Sequence, residues 1–309
     1  MNHGTAPGKI ILFGEHSVVY GQPALAVPVG VVQAHASVTP LANEFHRMRL
    51  TARDVGIDAW MDELNDSHPL ALIIRLALEA LAISGNGLHV ELRSSIPIAA
   101  GMGSGAATSI AILRALAAYA GKTLPAERQS ELAFEVEKIY HGTPSGIDNT
   151  VIAFNQPVWY IQGETPQPFT VSGELDLVIA DTGIHTATSQ AVGHVRQRWE
   201  KDPAGIAILF EQMGQIAHAA RTSLERGDLA SLGSLMNENQ SLLAVLGVSS
   251  RELNTLLHVC HEAGAFGAKL SGAGMGGNII ALTHPEPIEL IQSLKLAGAE
   301  HVYHTRISS

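Results

Sequence analysis

Residues 97–108 read Pro-Ile-Ala-Ala-Gly-Met-Gly-Ser-Gly-Ala-Ala-Thr. Glycines at 101, 103 and 105 let a backbone come close to an anion, and the alanine- and leucine-rich run Ala106 to Tyr119, closed by Gly121, predicts a helix that opens on this loop. A helix start offers amide N–H groups and a favourable dipole, so the stretch suits a nucleotide triphosphate. A tight strand-to-helix turn without a ligand fits the same residues. No Gly-Lys-Ser/Thr follows and the loop is not at the first strand, so it is neither a Walker A loop nor a dinucleotide fingerprint.

Upstream of this loop, Lys9 to Gly14 and Ala24 to Thr39 read as strands, and 65–83 as a helix capped at Asn65 or Ser67 with Leu72, Leu76, Ala80 and Ile83 along one stripe. Leu88 to Ser94 alternates as a strand does. Downstream, Pro125 to Tyr140 predicts a helix with Leu132, Val136 and Ile139 as its apolar face, broken by the Gly/Pro-rich 142–149. Strands are expected around Val158, Val171 and Leu175–Ala180, helices over 186–200, 204–225, 228–245, 250–263 and 287–296, and strands at 268–270, 278–282 and 301–306. Strands and helices do not alternate regularly, which points to α+β rather than a doubly wound sheet. Gln162 to Gly173 is the least structured stretch and the expected linker, dividing the chain into domains 1–172 and 173–309.

Of the 309 residues, 46% are hydrophobic and 16% charged, a globular composition, and 19 Lys and Arg against 29 Asp and Glu give a net charge of −10. Without a Lys/Arg run that balance argues against a nucleic-acid binder. The lone Cys260 excludes an internal disulfide and a cysteine metal cluster, and the scattered histidines, His258 and His261 included, read as surface or packing residues. The longest apolar run, Ala24 to Val32, falls well short of the roughly 20 residues a bilayer span needs, and no secretory h-region is visible, so the chain is read as cytoplasmic with no membrane partner.

Four further features carry chemistry. A second glycine cluster, Lys269-Leu-Ser-Gly-Ala-Gly-Met-Gly-Gly277, is another turn or anion cradle. Glu137 borders the apolar stripe of its helix, and Asp148 follows a Gly/Pro-pinned turn, as a general base, a metal ligand or a mere turn aspartate would. Lys9 opens the first apolar strand, and the Glu15-His16 pair closes it.

Together, Pro7 to Ser17, Pro97 to Ala107 and Lys269 to Gly277 resemble the three motifs of the GHMP kinases, in order and across nearly the whole chain. Within that superfamily, Glu137 to Asn149 and Leu235 to Ser249 are similar to segments of the mevalonate kinases. The resemblance implies an S5-like N-terminal domain, a ferredoxin-like C-terminal domain and an active site in the cleft between them. It implies ATP and Mg²⁺ as cofactors and mevalonate as the small-molecule partner, phosphorylated on its 5-hydroxyl, and it admits a homodimer. Other kinases of the same fold and a non-catalytic metabolite binder are the rival classes.

Carried over by position, Asp148 matches the catalytic base and Lys9 the lysine beside it. Pro97, Ala99, Ala100, Gly101, Met102, Gly103, Ser104, Gly105, Ala106 and Ala107 match the nucleotide loop. Glu15, His16, Thr188, Gly272, Ala273 and Gly274 match the substrate side, and Glu137 with Ser104 the magnesium ligands. The family loop usually reads Gly-Leu-Gly-Ser-Ser; here Gly105 replaces the second serine, whose hydroxyl goes to Mg²⁺. Water, Ser104 or Thr108 is left to replace that ligand, or the metal is held more weakly.

Overall fold

The computed structural model describes residues 2–42, 46–97, 100–141, 144–184 and 186–308. In chain order these form β1 (Asn2–Phe13), β2 (Ala24–Pro40), β3 (Arg49–Ala52), β4 (Ile57–Trp60), α1 (Pro69–Leu81), β5 (Leu88–Ser94), α2 (Ser104–Ala120), α3 (Ala126–His141) and α4 (Ile147–Phe154). There follow β6 (Val158–Tyr160), β7 (Gln167–Pro168), β8 (Glu174–Asp181), α5 (Thr188–Lys201), α6 (Pro203–Arg226), α7 (Leu229–Val245), α8 (Arg251–Glu262), β9 (Gly267–Ser271), β10 (Asn278–Leu282), α9 (Ile288–Leu296) and β11 (His301–Ser308). The mixed, non-alternating order expected for an α+β chain is what forms. The chain divides into two compact units: 1–8, 32–97 and 103–155 in the first, 9–31, 98–102 and 156–309 in the second.

In the first unit the end of β2 runs antiparallel to β5, β5 parallel to β3, and β3 antiparallel to β4. The hairpin β3–β4 is absent from the sequence expectation because each strand has only four residues. Pro69 sets the start of α1 by forcing His68 into extended backbone, so the helix begins four residues later than expected. Its buried face is Leu70, Ile73, Ile74, Ala77 and Leu81 rather than the Leu72–Leu76–Ala80 stripe. The segment is apolar almost all round, so its periodicity does not choose a face and packing does. In α3, Leu132 and Val136 are buried as expected, but Ile139 is exposed and Glu137 takes the inward position.

Asp148 sits on the first turn of a helix, α4, not in a turn. Gly146 at φ 87° serves as N-cap, and Ile147, Val151 and Ile152 supply an apolar face. Arg114 of α2 holds this unit together: it donates to Gln129 Oε1 at 2.9 Å, Thr5 O at 2.7 Å and Ala153 O at 2.9 Å. It thus ties β1, α3 and the orphan carbonyls at the end of α4. Arg114→Met is expected to cost about 1–3 kcal/mol, because several acceptors, part-buried for the most part, lose a charged donor; urea unfolding measures it, and an unchanged midpoint refutes it.

In the second unit β11, β8, β10 and β9 form an antiparallel sheet in that order. One face, including Val178, Ala180, Ala268, Leu270, Ile279 and Ala281, packs in a core with α5 to α9. Side chains alternate along a strand, so Lys269 and Ser271 of β9 project from the opposite face. Ser271 Oγ there accepts from Ile11 N at 3.1 Å and donates to Ile11 O at 2.8 Å, fastening β1. The start of β2 pairs with β6, and β6 with β7, whereas buried Val171 lies in no strand. Among the described residues no helix is long and apolar enough to cross a membrane.

Candidate active site

β1 ends at a turn with a demanding backbone. Gly14 has φ 100°, and a Cβ there would stand 2.5 Å from Ala24 Cα. His16 adopts φ 59°, ψ −45°, backbone that a branched or bulky residue rarely takes. Such strain costs about 1–3 kcal/mol and persists where the surroundings enforce it. Here Val18 N donates to Gly14 O at 3.1 Å, and Ser17 N to Glu15 O at 2.6 Å.

The turn places Glu15 in full burial, its Oε1 in an ion pair with Lys269 Nζ, itself fully buried. Lys269 Nζ also donates to Leu270 O at 2.6 Å. Burial pushes Glu15 up and Lys269 down, and their mutual attraction opposes both. Lys9 adds a second, weaker positive charge acting on the same carboxylate. Lys9, buried on β1, holds its own strand by donating its backbone N–H to Met102 O at 3.0 Å.

His16 Nε2 lies 2.9 Å from Ala273 O. Burial lowers its pKa to about 4, so near neutrality the ring is uncharged. A carbonyl can only accept, which fixes the proton on Nε2 and leaves Nδ1 an acceptor. The unfolded chain takes up this proton near pH 6.5, the folded chain only near 4. This contribution is therefore whole above pH 6.5, is lost as pH falls through that window, and levels off below about 4. It amounts to about 3 kcal/mol. His16→Asn, which also suits positive φ, is expected to flatten stability against pH between those limits relative to wild type; parallel slopes refute it.

The second glycine cluster is a run of left-handed backbone, with Gly272 at φ 95°, Gly274 at 76°, Met275 at 58°, Gly276 at 125° and Gly277 at 75°. It is pinned from outside: Met275 N donates to Val248 O at 2.6 Å, Gly277 N to Ile184 O at 2.8 Å, and Thr186 Oγ1 to Met275 O at 2.7 Å. Asn278 Nδ2 donates to Ala100 O, joining this cluster to the second unit's part of the first glycine-rich loop. A pocket opens there, lined by Ala100, Gly101, Thr186, Thr188, Ser271, Ala273, Gly274, Gly276, Gly277 and Asn278. Its walls are glycine backbone, hydroxyls and one amide. They suit an anion met by dipoles.

The expected residues therefore gather in two groups. Lys9, Glu15, His16, Ala100, Gly101, Met102, Thr188, Gly272, Ala273 and Gly274 lie in the second unit. Pro97, Gly103, Ser104, Gly105, Ala106, Ala107, Glu137 and Asp148 lie in the first. Ala99 lies outside the described residues. Gly103, at φ 73°, is the N-cap of α2 and offers no side chain, so the first-turn amides of Ser104, Gly105 and Ala106 have no intrahelical partner. Glu137 is a buried carboxylate on α3. Asp148 is flanked by Asn149 Nδ2, which donates to Ser130 Oγ at 2.8 Å, and by Thr150, whose Oγ1 donates to Gly146 O at 2.7 Å. Sequence reasoning missed Thr186, Asn278 and the role of Lys269. Lys269 carried one signal, a charge inside an apolar strand.

Residues 71–156 match the GHMP kinases N terminal domain and residues 220–299 the GHMP kinases C terminal domain. A mevalonate kinase of Pyrococcus horikoshii is 35% identical over 314 residues, covering 95% of this chain and 92% of that protein. One of Thermococcus sibiricus is also 35% identical, covering 98% and 95%. The crystal structure of L. major mevalonate kinase in complex with R-mevalonate superposes with a TM-score of 0.85 at 27% identity, covering 100% of this chain and 96% of that one. The chain belongs to the GHMP kinases and, within them, to the mevalonate kinase family.

Proposed function

We propose that this chain transfers the γ-phosphoryl group of ATP to the 5-hydroxyl of mevalonate, giving 5-phosphomevalonate and ADP. The observation that carries the acceptor is near-full-length similarity to mevalonate kinases, 35% identical over 95% of the chain.

Phosphoryl transfer asks a protein for alignment and charge neutralisation more than for covalent chemistry. The first-turn amides of α2 and the glycine-lined pocket supply dipoles for phosphate oxygens. Asp148 receives the proton of the 5-hydroxyl, and Lys9 stabilises the alkoxide that develops. Glu15, His16 and Thr188 orient the acceptor.

For Mg²⁺ the candidate ligands are oxygens, the buried Glu137 carboxylate and the Ser104 hydroxyl. They fit an ion that takes oxygen ligands and is shared between one or two carboxylates and substrate phosphates. Among the described residues no group of three or more His, Cys, Asp or Glu could hold a metal. Thr108 Oγ1 donates to Gly105 O at 2.9 Å, which leaves its lone pairs open, so the Ser104 and Thr108 hydroxyls both remain candidates for the position the missing serine would take. When bound, Mg²⁺ supplies positive charge to the β and γ phosphates.

The test is ADP release with Mg²⁺-ATP and, separately, mevalonate, phosphomevalonate, galactose and homoserine. Turnover with mevalonate, with phosphorus NMR placing the product phosphate on the 5-oxygen, supports the reading. Turnover only with another acceptor overturns the substrate.

A further inference from the structure

Strand β9 is the edge of its sheet, so every second backbone amide faces away from β10. In the register Leu270↔Ile279 and Ala268↔Ala281, the outward amides are those of Ala268 and Leu270. An uncovered edge invites mispairing and leaves the strand's position loosely set. Here no strand covers it. Asn237 Oδ1 accepts from Ala268 N at 2.9 Å, and Gln240 Oε1 from Leu270 N at 2.9 Å. The two amides stand three positions apart on α7, one helical turn, and match two strand residues two positions apart.

Gln240 is itself held, because its Nε2 donates to Ser249 Oγ at 3.0 Å and Ser249 Oγ donates to Asn254 Oδ1 at 2.6 Å. The helix comes this close because Gly233 and Gly267 meet without side chains: a Cβ at Gly267 would lie 2.0 Å from Gly233 O.

The residue between the two clamped amides is Lys269. Its ammonium is buried against Glu15, and the next residue of that turn, His16, bonds Ala273 just beyond the same strand. We propose that Asn237 and Gln240 are positioning residues for the acceptor side of the site: by fixing β9 they set where Lys269 meets Glu15, and so how the strained turn presents His16. They touch neither substrate nor reacting atoms. The inference rests on the assignment of Glu15 and His16 to the acceptor, and it gives Asn237 and Gln240 a role on a helix that a plain apolar face would suffice to dock.

The experiment compares Asn237→Leu, which removes the acceptor oxygen, with Asn237→Asp, which keeps one. Asn237→Leu is expected to raise KM for mevalonate about tenfold, less than the ~10²-fold that an ångström of misplacement costs, with kcat and KM for ATP nearly unchanged. Asn237→Asp is expected to restore the wild-type KM. A second readout needs no turnover: in the ¹⁵N-histidine spectrum of the free protein, the His16 imidazole signals move in Asn237→Leu and return in Asn237→Asp. If the enzyme proves to use another acceptor, this arm still decides the point. A lowered melting temperature with unmoved His16 signals would show the clamp to be purely structural and overturn the inference. Gln240→Met, read by the same two measurements, replaces Asn237→Leu if that variant does not fold.

Discussion

Asp148→Asn is expected to lower kcat by about 10²–10⁴-fold, the share a positioned base supplies, while ATP affinity stays within a few-fold of wild type. The substitution keeps shape and removes only the basic oxygen. Asp148 lies on the first turn of α4, and its neighbours Asn149 and Thr150 carry the anchoring bonds to Ser130 and Gly146. Those bonds are to backbone and hydroxyl groups that the substitution leaves untouched. A two-state melt close to wild type, unchanged ATP binding by titration calorimetry and a collapsed kcat form the expected set. Near-normal turnover would remove Asp148 from the mechanism and leave alignment and phosphate neutralisation as the whole of catalysis.

What could be read from the sequence follows from the range of the forces involved. Glycine loops, helix starts and strand ends are set by residues a few positions apart, so both glycine clusters and helices α5 to α8 fall close to where the spacing put them. The turn carrying Glu15 and His16 was visible for the same reason. α4 escaped because it has eight residues, and Gly146 reads as a breaker when it acts as a cap. The buried face of α1 escaped because nearly all its faces are apolar.

The rest depends on partners remote in sequence. Lys269 meets Glu15 across 254 positions, and Asn278 meets Ala100 across 178. Nothing local to Lys269 says whether its ammonium reaches solvent or a buried carboxylate. Similarly, Asn237 and Gln240 look like solvated helix amides until the edge of β9 is found beside them. The site therefore appears in the sequence as isolated motifs, and the contacts that orient its side chains appear only in the fold.

Gly267→Ala is expected to be among the most destabilising single-methyl additions in the chain. The new Cβ would lie 2.0 Å from Gly233 O and 2.6 Å from Gly233 Cα, and the colliding atoms are backbone rather than the end of a flexible side chain. Neither glycine has left-handed backbone, so the penalty is one of packing and not of φ. Overpacking costs about 1–3 kcal/mol and sometimes more, and a helix pressed on a strand has no rotamer with which to yield, so the upper end applies. At roughly 2–4 °C per kcal/mol for a chain of this size, the melting temperature should fall by roughly 6–12 °C. The matched control is Gly193→Ala in α5, where a Cβ meets nothing within 4 Å and φ is not positive. There the gain in helix propensity should raise stability by about 0.5–1 kcal/mol. Opposite signs for the same added methyl would locate the difference at the α7–β9 crossing. Equal small effects would mean that α7 can draw back from β9, and the clamp by Asn237 and Gln240 would then be too loose to position Lys269.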